Sequence, residues 1–346
     1  MIAQEAPEIE RKVVAILKVL SDSPEPLGGR IIARRLNDFG IELGERAVRY
    51  HLKLMDERGL TRPVGARDGR NITKQGIEEL SGALVRDRVE AITAKIELLA
   101  YRTTLDLDER TGDVPINTSL FPKDEFSKAL AAMKEAFRAG LCVSNLAAVS
   151  FEGEELGEIT VPAGKIGLAT VSSVAISGVL LKAGIPLDSK FAGVLQFRNN
   201  SPLRFIELIE CSGCSLSPTE IFAASKMTSV SEVASIGEGK ILAHFRELPS
   251  PCMPVVETIM GKLNEAGIGG GVTLGKPNET VCEIPVGFNK IGMILQSGLN
   301  PVAAAAEAGI EVVSRAMSGV IDYRKLRRFE TYIVTAEAER TCSRHS

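Results

Sequence analysis

The sequence predicts an α+β (mixed α/β) chain. An N-terminal winged helix-turn-helix leads into a duplicated α/β body with pseudo-twofold symmetry. Three observations carry this reading. Apolar residues at helical spacing mark three short helices, and two short strands follow them, all within residues 1–75. Short strands and helices alternate from Thr111 onward. Finally, the stretch Gly164–Arg204 recurs, degraded, near the C-terminus. Val161-Pro162-Ala163-Gly164 is echoed by Ile284-Pro285-Val286-Gly287, and Lys165-Ile166-Gly167 by Lys290-Ile291-Gly292. Ala183-Gly184-Ile185 is echoed by Ala308-Gly309-Ile310, and Gly193–Arg198 by Gly319–Arg324. So many small residues recurring in order mark an internal duplication.

The N-terminal module comes first. Ile9, Val13, Ile16, Leu17 and Leu20 predict a helix over 8–21, ended by Pro24 and Pro26, which lack the backbone donor. A second helix, about 28–38, turns Ile31, Ile32 and Leu36 inward and closes at Gly40. The third, about 44–58, carries Val48, Leu52 and Met55 on one face. Arg46, Arg49, Tyr50 and Lys53 form a stripe on another face, suited to phosphates and base edges in a major groove. Residues 60–73 predict two strands around a turn, with Arg67 and Arg70 near its tip to reach flanking phosphates. A charge stripe can also be a plain solvated face, and a winged helix can dock on protein. His51 is expected to be structural or a phosphate contact.

Charge supports the nucleic-acid reading. Residues 1–103 hold 18 Lys+Arg against 16 Asp+Glu, and the rest of the chain holds 23 against 28. Within 30–75 the count is 11 against 6, so a basic patch precedes an acidic body.

Residues 76–103 read as a helical linker. Val85, Val89, Ile92, Ile96 and Leu99 step at a coiled-coil period for about two heptads. The segment is either a connector packed on its own domain or a dimerisation helix. Residues 104–330 form the duplicated body, with copies at about 111–210 and 237–330, and 331–346 is a tail. Predicted strands include Leu141–Phe151, Ile166–Val171, Val194–Phe197, Phe205–Cys211, Lys240–Glu247, Val281–Pro285 and Gly319–Tyr323. Ile209–Phe222, between the copies, has no counterpart in the second.

The body offers few candidates for chemistry. Cys211-x-x-Cys214 has no second pair and no histidine at ligand spacing, so buried thiols near a pocket compete with a metal or redox role. No nucleophile elbow is present, and His244 and His345 lack triad context. The strand-to-helix turn Thr170-Val171-Ser172-Ser173 offers hydroxyls and free N–H groups to an anion, or simply caps a helix. Arg198 and Arg204 follow in the same copy, either as a carboxylate clamp or as solvated arginines. Cys211 and Ser212 complete the candidate effector site. The second copy is expected to lose the serine pair, so the first copy is expected to hold the ligand. No metal or cofactor is expected. An enzyme acting on a small dicarboxylate or amino acid stands as the alternative to a ligand-responsive repressor.

Composition and cysteine usage fit a cytoplasmic globular protein. The six cysteines lack a disulfide rhythm, and Met1–Glu10 has no apolar signal core. The apolar run Ile166–Leu181 is too short for a bilayer, which needs ~20 residues.

A winged helix followed by A-T-V-S-S-V-A-I-S-G-V-L-L-K-A-G-I-P (169–186), S-K-F-A-G-V-L-Q-F (189–197), P-L-R-F-I-E-L-I-E (202–210) and S-L-S-P-T-E-I-F (215–222) resembles the NrpR family. The resemblance runs from about Ile9 to Phe329. Ser217 departs from it, standing where the family pattern has Asp. The resemblance implies a transcriptional repressor of nitrogen-assimilation genes with one DNA-binding head and one effector domain. It implies palindromic operator DNA, a homodimer or higher oligomer, a possible second NrpR-type subunit as partner, and release by 2-oxoglutarate.

Overall fold

Period-3.6 and period-2 segments become helices and strands nearly where the apolar spacing places them. The computed structural model describes residues 5–21, 23, 26–38, 41–64, 69–88 and 91–334. They fall into two compact units, Met1–Val89 and Glu90–Ser346.

The first unit runs α1 (Glu5–Ser21), α2 (Gly29–Asp38), α3 (Glu45–Glu57), β1 (Thr61–Val64), β2 (Gly69–Ile72) and α4 (Lys74–Arg88). The apolar stripes close on one core. Ile16 and Leu17 of α1 meet Ile32 and Leu36 of α2 and Val48, Leu52 and Met55 of α3. Burying each of these side chains contributes about 1.5–3 kcal/mol, which is what holds such short helices. β1 and β2 pair antiparallel, Thr61 opposite Ile72. Leu27 adds a bridge to Arg70. This is the architecture of a winged helix.

The stretch expected as one linker helix is divided. α4 ends at Arg88, and α5 (Ala91–Arg102) belongs to the second unit. Ile92, Ile96 and Leu99 of α5 are buried against Val174 and Met317, so this half of the stripe packs on its own body. The side chains of Val85 and Val89 lie outside the described residues.

The second unit continues with β3 (Asp113–Pro122), α6 (Phe126–Arg138), β4 (Leu146–Ser150), β5 (Glu155–Leu156), β6 (Ile159–Thr160), β7 (Lys165–Val171) and α7 (Val174–Lys182). Then come β8 (Asp188–Arg198), β9 (Ser201–Glu210), α8 (Pro218–Ala224), α9 (Val230–Ile236), β10 (Gly239–Pro249), α10 (Met253–Glu265) and β11 (Val272–Leu274). β12 (Lys290–Gln296), α11 (Asn300–Glu307), β13 (Val313–Asp322) and β14 (Arg327–Arg328) complete it. The predicted strand over Val281–Pro285 is reduced to one bridge, Val281–Ile284. Cys282 and Glu283 between them adopt left-handed φ of 46° and 66°, which makes a tight turn. α8 and α9 fill the stretch that follows the first copy.

Two five-stranded antiparallel sheets form, in the orders β13-β3-β7-β4-β14 and β11-β12-β10-β8-β9. Gly167 of β7 lies opposite Leu120, and its repeat partner Gly292 of β12 lies opposite Glu247. The pseudo-twofold axis therefore equates β3 with β10, β7 with β12, α7 with α11 and β8 with β13. The copies also exchange strands: β8 of the first pairs with β10, and β13 of the second pairs with β3. No core belongs to one copy. Ala175, Ile176 and Leu180 of α7 share a core with Val256, Met260 and Leu263 of α10. Leu130, Met133 and Phe137 of α6 share another with Val302 and Ala305 of α11.

Candidate effector pocket and nucleic-acid face

β7 and β12 each enter a helix through the same kind of turn. Ser172-Ser173 precedes α7 and Ser297-Gly298 precedes α11. The repeat register equates Ser172 with Ser297 and Ser173 with Gly298. The second copy thus keeps one serine of the pair, contrary to expectation. The two turns meet at the pseudo-axis. A Cβ on Gly298 would run into the Val171 carbonyl and lie 2.8 Å from Asn117 Nδ2. Gly298→Ala is expected to destabilise the protein by about 2–3 kcal/mol. An unchanged thermal midpoint would contradict that close approach.

A cavity opens beside these turns. Ser172, Ser173 and Asn117 of the first copy face His244, Arg246 and Ser297 of the second, with Cys211, Ser217 and Thr219 along one side. The cavity therefore lies between the copies and not within the first, because the exchanged strands bring both turns to one place.

Arg246 is 2 % exposed. Its Nη2 donates to Ser173 Oγ at 3.4 Å, while Nε and Nη1 have no hydrogen-bond partner. Among the described residues, no carboxylate lines the cavity. Burial lowers the Arg246 pKa to about 10, so the group stays charged at neutral pH. A buried charge without a counter-charge is costly and rare. In β3 the equivalent position is Ser119, whose hydroxyl bonds Ser314 at 2.9 Å. The site is thus symmetric in its turns and asymmetric in its charge.

His244 occupies the position of Asn117. Its Nδ1 lies 3.3 Å from Ser173 Oγ and its Nε2 3.0 Å from Thr219 Oγ1. Burial, and then the Arg246 charge, pull its pKa down to about 3, so the ring is neutral. Without a carboxylate to orient the ring, this pair lacks the third member of a hydrolytic triad. A pH dependence follows. The unfolded chain takes the proton near pH 6.5, while the folded chain resists it down to about 3. Stability is full above pH 6.5 and falls by about 1.4 kcal/mol per pH unit below it, levelling near pH 3. Denaturant unfolding between pH 7 and 4 should show this slope, and His244→Gln should flatten it. Burial lowers the pKa of His51 too, so it adds a slope of the same sign that the variant leaves in place.

Cys211 is buried on the cavity wall, and burial raises its pKa to about 11 despite the pull of Arg246. Cys214 donates its Sγ hydrogen to the Glu210 carbonyl at 2.9 Å. Both cysteines are free thiols. Among the described residues, no group of three or more His, Cys, Asp or Glu is placed to hold a metal.

The other predicted contacts divide. Ser172, Ser173 and Cys211 line the cavity. Thr170 is buried beside it, bonded by Asn117 Nδ2 at 3.4 Å, and does not line it. Arg198 and Arg204 are corrected outright. They are exposed at the turn end of the β8–β9 hairpin, where Arg204 bonds Gln196 at 3.1 Å and pairs with Glu283 at 4.0 Å. β8 carries them away because it joins the other sheet. Ser212 is exposed in the turn after β9 and is also corrected. Sequence reasoning missed Arg246 and passed over His244. The signal was the polar pair within Ile241-Leu242-Ala243-His244-Phe245-Arg246, a strand otherwise apolar through that stretch.

In the first unit, Arg46, Arg49, Tyr50 and Lys53 are exposed on α3, Tyr50 by 63 %, while Val48, Leu52 and Met55 are buried. Arg49 pairs with Glu45 at 2.9 Å. His51 faces the core at 7 % exposure, so its role there is structural. Arg70 is corrected as a phosphate contact. Its Nε donates to Asp56 at 2.8 Å, and Thr61 donates to the same carboxylate at 2.6 Å. This network ties the hairpin to α3. Arg70→Ala is expected to destabilise the head by about 1 kcal/mol, discounted for partial exposure, and to leave the salt dependence of DNA binding unchanged. A shallower salt dependence would restore the phosphate role. Arg67 lies outside the described residues. Among the described residues, no helix is long and apolar enough to cross a membrane.

Comparison with known proteins agrees with this architecture. Residues 89–328 match the NrpR regulatory domains NRD1 and 2, and residues 14–80 match the ribonuclease R winged-helix domain. The chain is 41 % identical to the global nitrogen regulator NrpRI of Methanosarcina mazei, over 93 % of this chain and 98 % of that protein. It is 33 % identical to the global nitrogen regulator NrpR of Methanocaldococcus jannaschii, over 96 % of this chain and 58 % of that longer protein. A crystal structure of a nitrogen repressor-like protein from Methanococcus jannaschii is similar, with a TM-score of 0.59 and 27 % identity, covering 69 % of this chain and 98 % of that one. The curated relatives are named as regulators rather than enzymes. By this coverage and identity, the chain belongs to the NrpR family of nitrogen regulators.

Proposed function

We propose that the chain is a cytoplasmic transcriptional repressor of nitrogen-assimilation genes, released from DNA by 2-oxoglutarate bound between the two copies. Its partners in this reading are palindromic operator DNA, the effector, and a further copy of the chain or a second NrpR-type subunit. The observation that carries it is Arg246, a buried cation with Nε and Nη1 unpartnered, lining the cavity between the copies. A carboxylate there would pair with it through charge-assisted hydrogen bonds. α7 begins at the cavity and the turn before α11 lines it, and helix starts favour negative charge. Asn117 and Ser297 offer polar groups to the far end of the ligand. Glutamate fits less well, because among the described residues no carboxylate lines the cavity to receive its ammonium group. The exposed stripe on α3 and the names of the relatives support the DNA and nitrogen parts. Coupling is by population shift: the effector favours an arrangement that no longer matches the operator.

The test is operator binding by the full chain alone, with 2-oxoglutarate, and with glutamate. Binding should be lost with 2-oxoglutarate alone. Equal binding in all three conditions removes the nitrogen-sensing reading.

A further inference from the structure

The cavity beside Arg246 has a volume of about 20 Å³, room for about one water molecule. A five-carbon dicarboxylate is several times larger. Some part of the wall must therefore move before such a ligand reaches Arg246.

The walls differ in how they are held. Asn117, His244 and Arg246 sit on β3 and β10, interior strands of the two sheets; His244 and Arg246 are paired on both sides, while Asn117 is in register with β7 and faces the irregular stretch of β13. The two serine turns are locked against each other at Gly298. α5 is in no sheet. Apart from apolar contacts, three ties hold the N-terminal half of α5, while at its C-terminal end Arg102 pairs with Glu158 and Tyr101 lies under Lys182. The Ile92 amide donates to the Cys214 carbonyl at 3.3 Å, Thr93 Oγ1 to the Cys211 carbonyl at 3.2 Å, and Lys95 Nζ to the Ala316 carbonyl at 3.1 Å. Its contribution to the cavity is apolar: Ile92 and Ile96 face a space whose polar groups are hydroxyls, an amide, an imidazole and the guanidinium. They offer a carboxylate nothing to bond. Beneath α5, Met317 takes a left-handed φ of 53° in an irregular stretch of β13. A non-glycine residue in that region is strained and held there by its surroundings.

We infer that α5 is the movable wall of the pocket: an anionic ligand on Arg246 displaces Ile92 and Ile96, breaks the three ties, and frees the N-terminal end of α5. That end is the part of the second unit that follows α4 in the chain, so freeing it is the step by which the pocket acts on the head. The inference rests on the effector reading above.

The test uses the full chain and two measurements. In hydrogen exchange followed by mass spectrometry, saturating 2-oxoglutarate should make amides of 91–102 exchange about tenfold faster, while those of α7 and α11 slow. In calorimetry, the double variant Thr93→Val, Lys95→Met removes two ties and keeps the apolar face of α5. Its closed state is weakened, so 2-oxoglutarate should bind about tenfold tighter than to the parent chain. Two results overturn the inference while the effector reading survives. One is slower or unchanged exchange in 91–102 on binding; the other is unchanged or weaker affinity in the variant. No binding to the parent chain removes the effector reading and this inference together.

Discussion

Arg246→Met should make the protein more stable and deaf to 2-oxoglutarate. Both effects come from one cause. In the folded chain the guanidinium is desolvated without a counter-charge, and burial lowers its pKa from 12.5 to about 10. That shift corresponds to a penalty on the order of 3 kcal/mol, carried in full at pH 7, where the folded and unfolded chains are both charged, and relieved only as pH rises above 10. Met has similar length and no charge, so the thermal midpoint should rise, with a gain of about 2 kcal/mol after imperfect packing is counted. The ligand loses its anchoring cation, which should weaken binding by about 100-fold or more. The variant should then stay on its operator at effector concentrations that release the parent chain. A fall in stability would mean that Arg246 has a partner inside the fold. An unchanged response would mean that the carboxylate lies elsewhere.

Arg46→Ala with Lys53→Ala should weaken operator binding by about 100-fold near 0.1 M salt and leave folding untouched. Both side chains are exposed on α3, opposite its buried face, so their removal opens no cavity. Each phosphate contact removed should make the slope of log affinity against log salt shallower by about 0.9, so the pair should change it by about 2. Arg49 is a weaker choice because it is held by Glu45. Titrations at several salt concentrations test the assignment. Lower affinity with an unchanged slope would place these residues on base edges, and no loss at all would move the DNA face off α3.

These predictions also mark what the sequence made legible. The head was readable because one apolar stripe per helix determines which face is buried, and α3 then has only one exposed basic face to offer. Arg70 was misread because its partner Asp56 sits on α3, and no local pattern announces a contact between a helix and a distant strand. In the body, the repeat revealed both the elements and the symmetry. It did not reveal that β8 and β13 change places, since a repeat encodes elements and not their pairing. The exchange sends Arg198 and Arg204 to an exposed hairpin and brings Arg246 to the serine turns. That Ser172, Ser173 and Cys211 line the cavity was legible because a strand-to-helix turn and the end of a strand are local features. His244 and Arg246 become significant only when β10 is laid on β3, where they replace Asn117 and Ser119.

The most direct measurement is a crystal structure of the full chain grown with 2-oxoglutarate. The ligand should lie between the copies, one carboxylate on Nε and Nη1 of Arg246 and the other end toward Asn117 and Ser297. A ligand seated between Arg198 and Arg204, or an inter-copy cavity without ligand at saturating 2-oxoglutarate, would contradict the account.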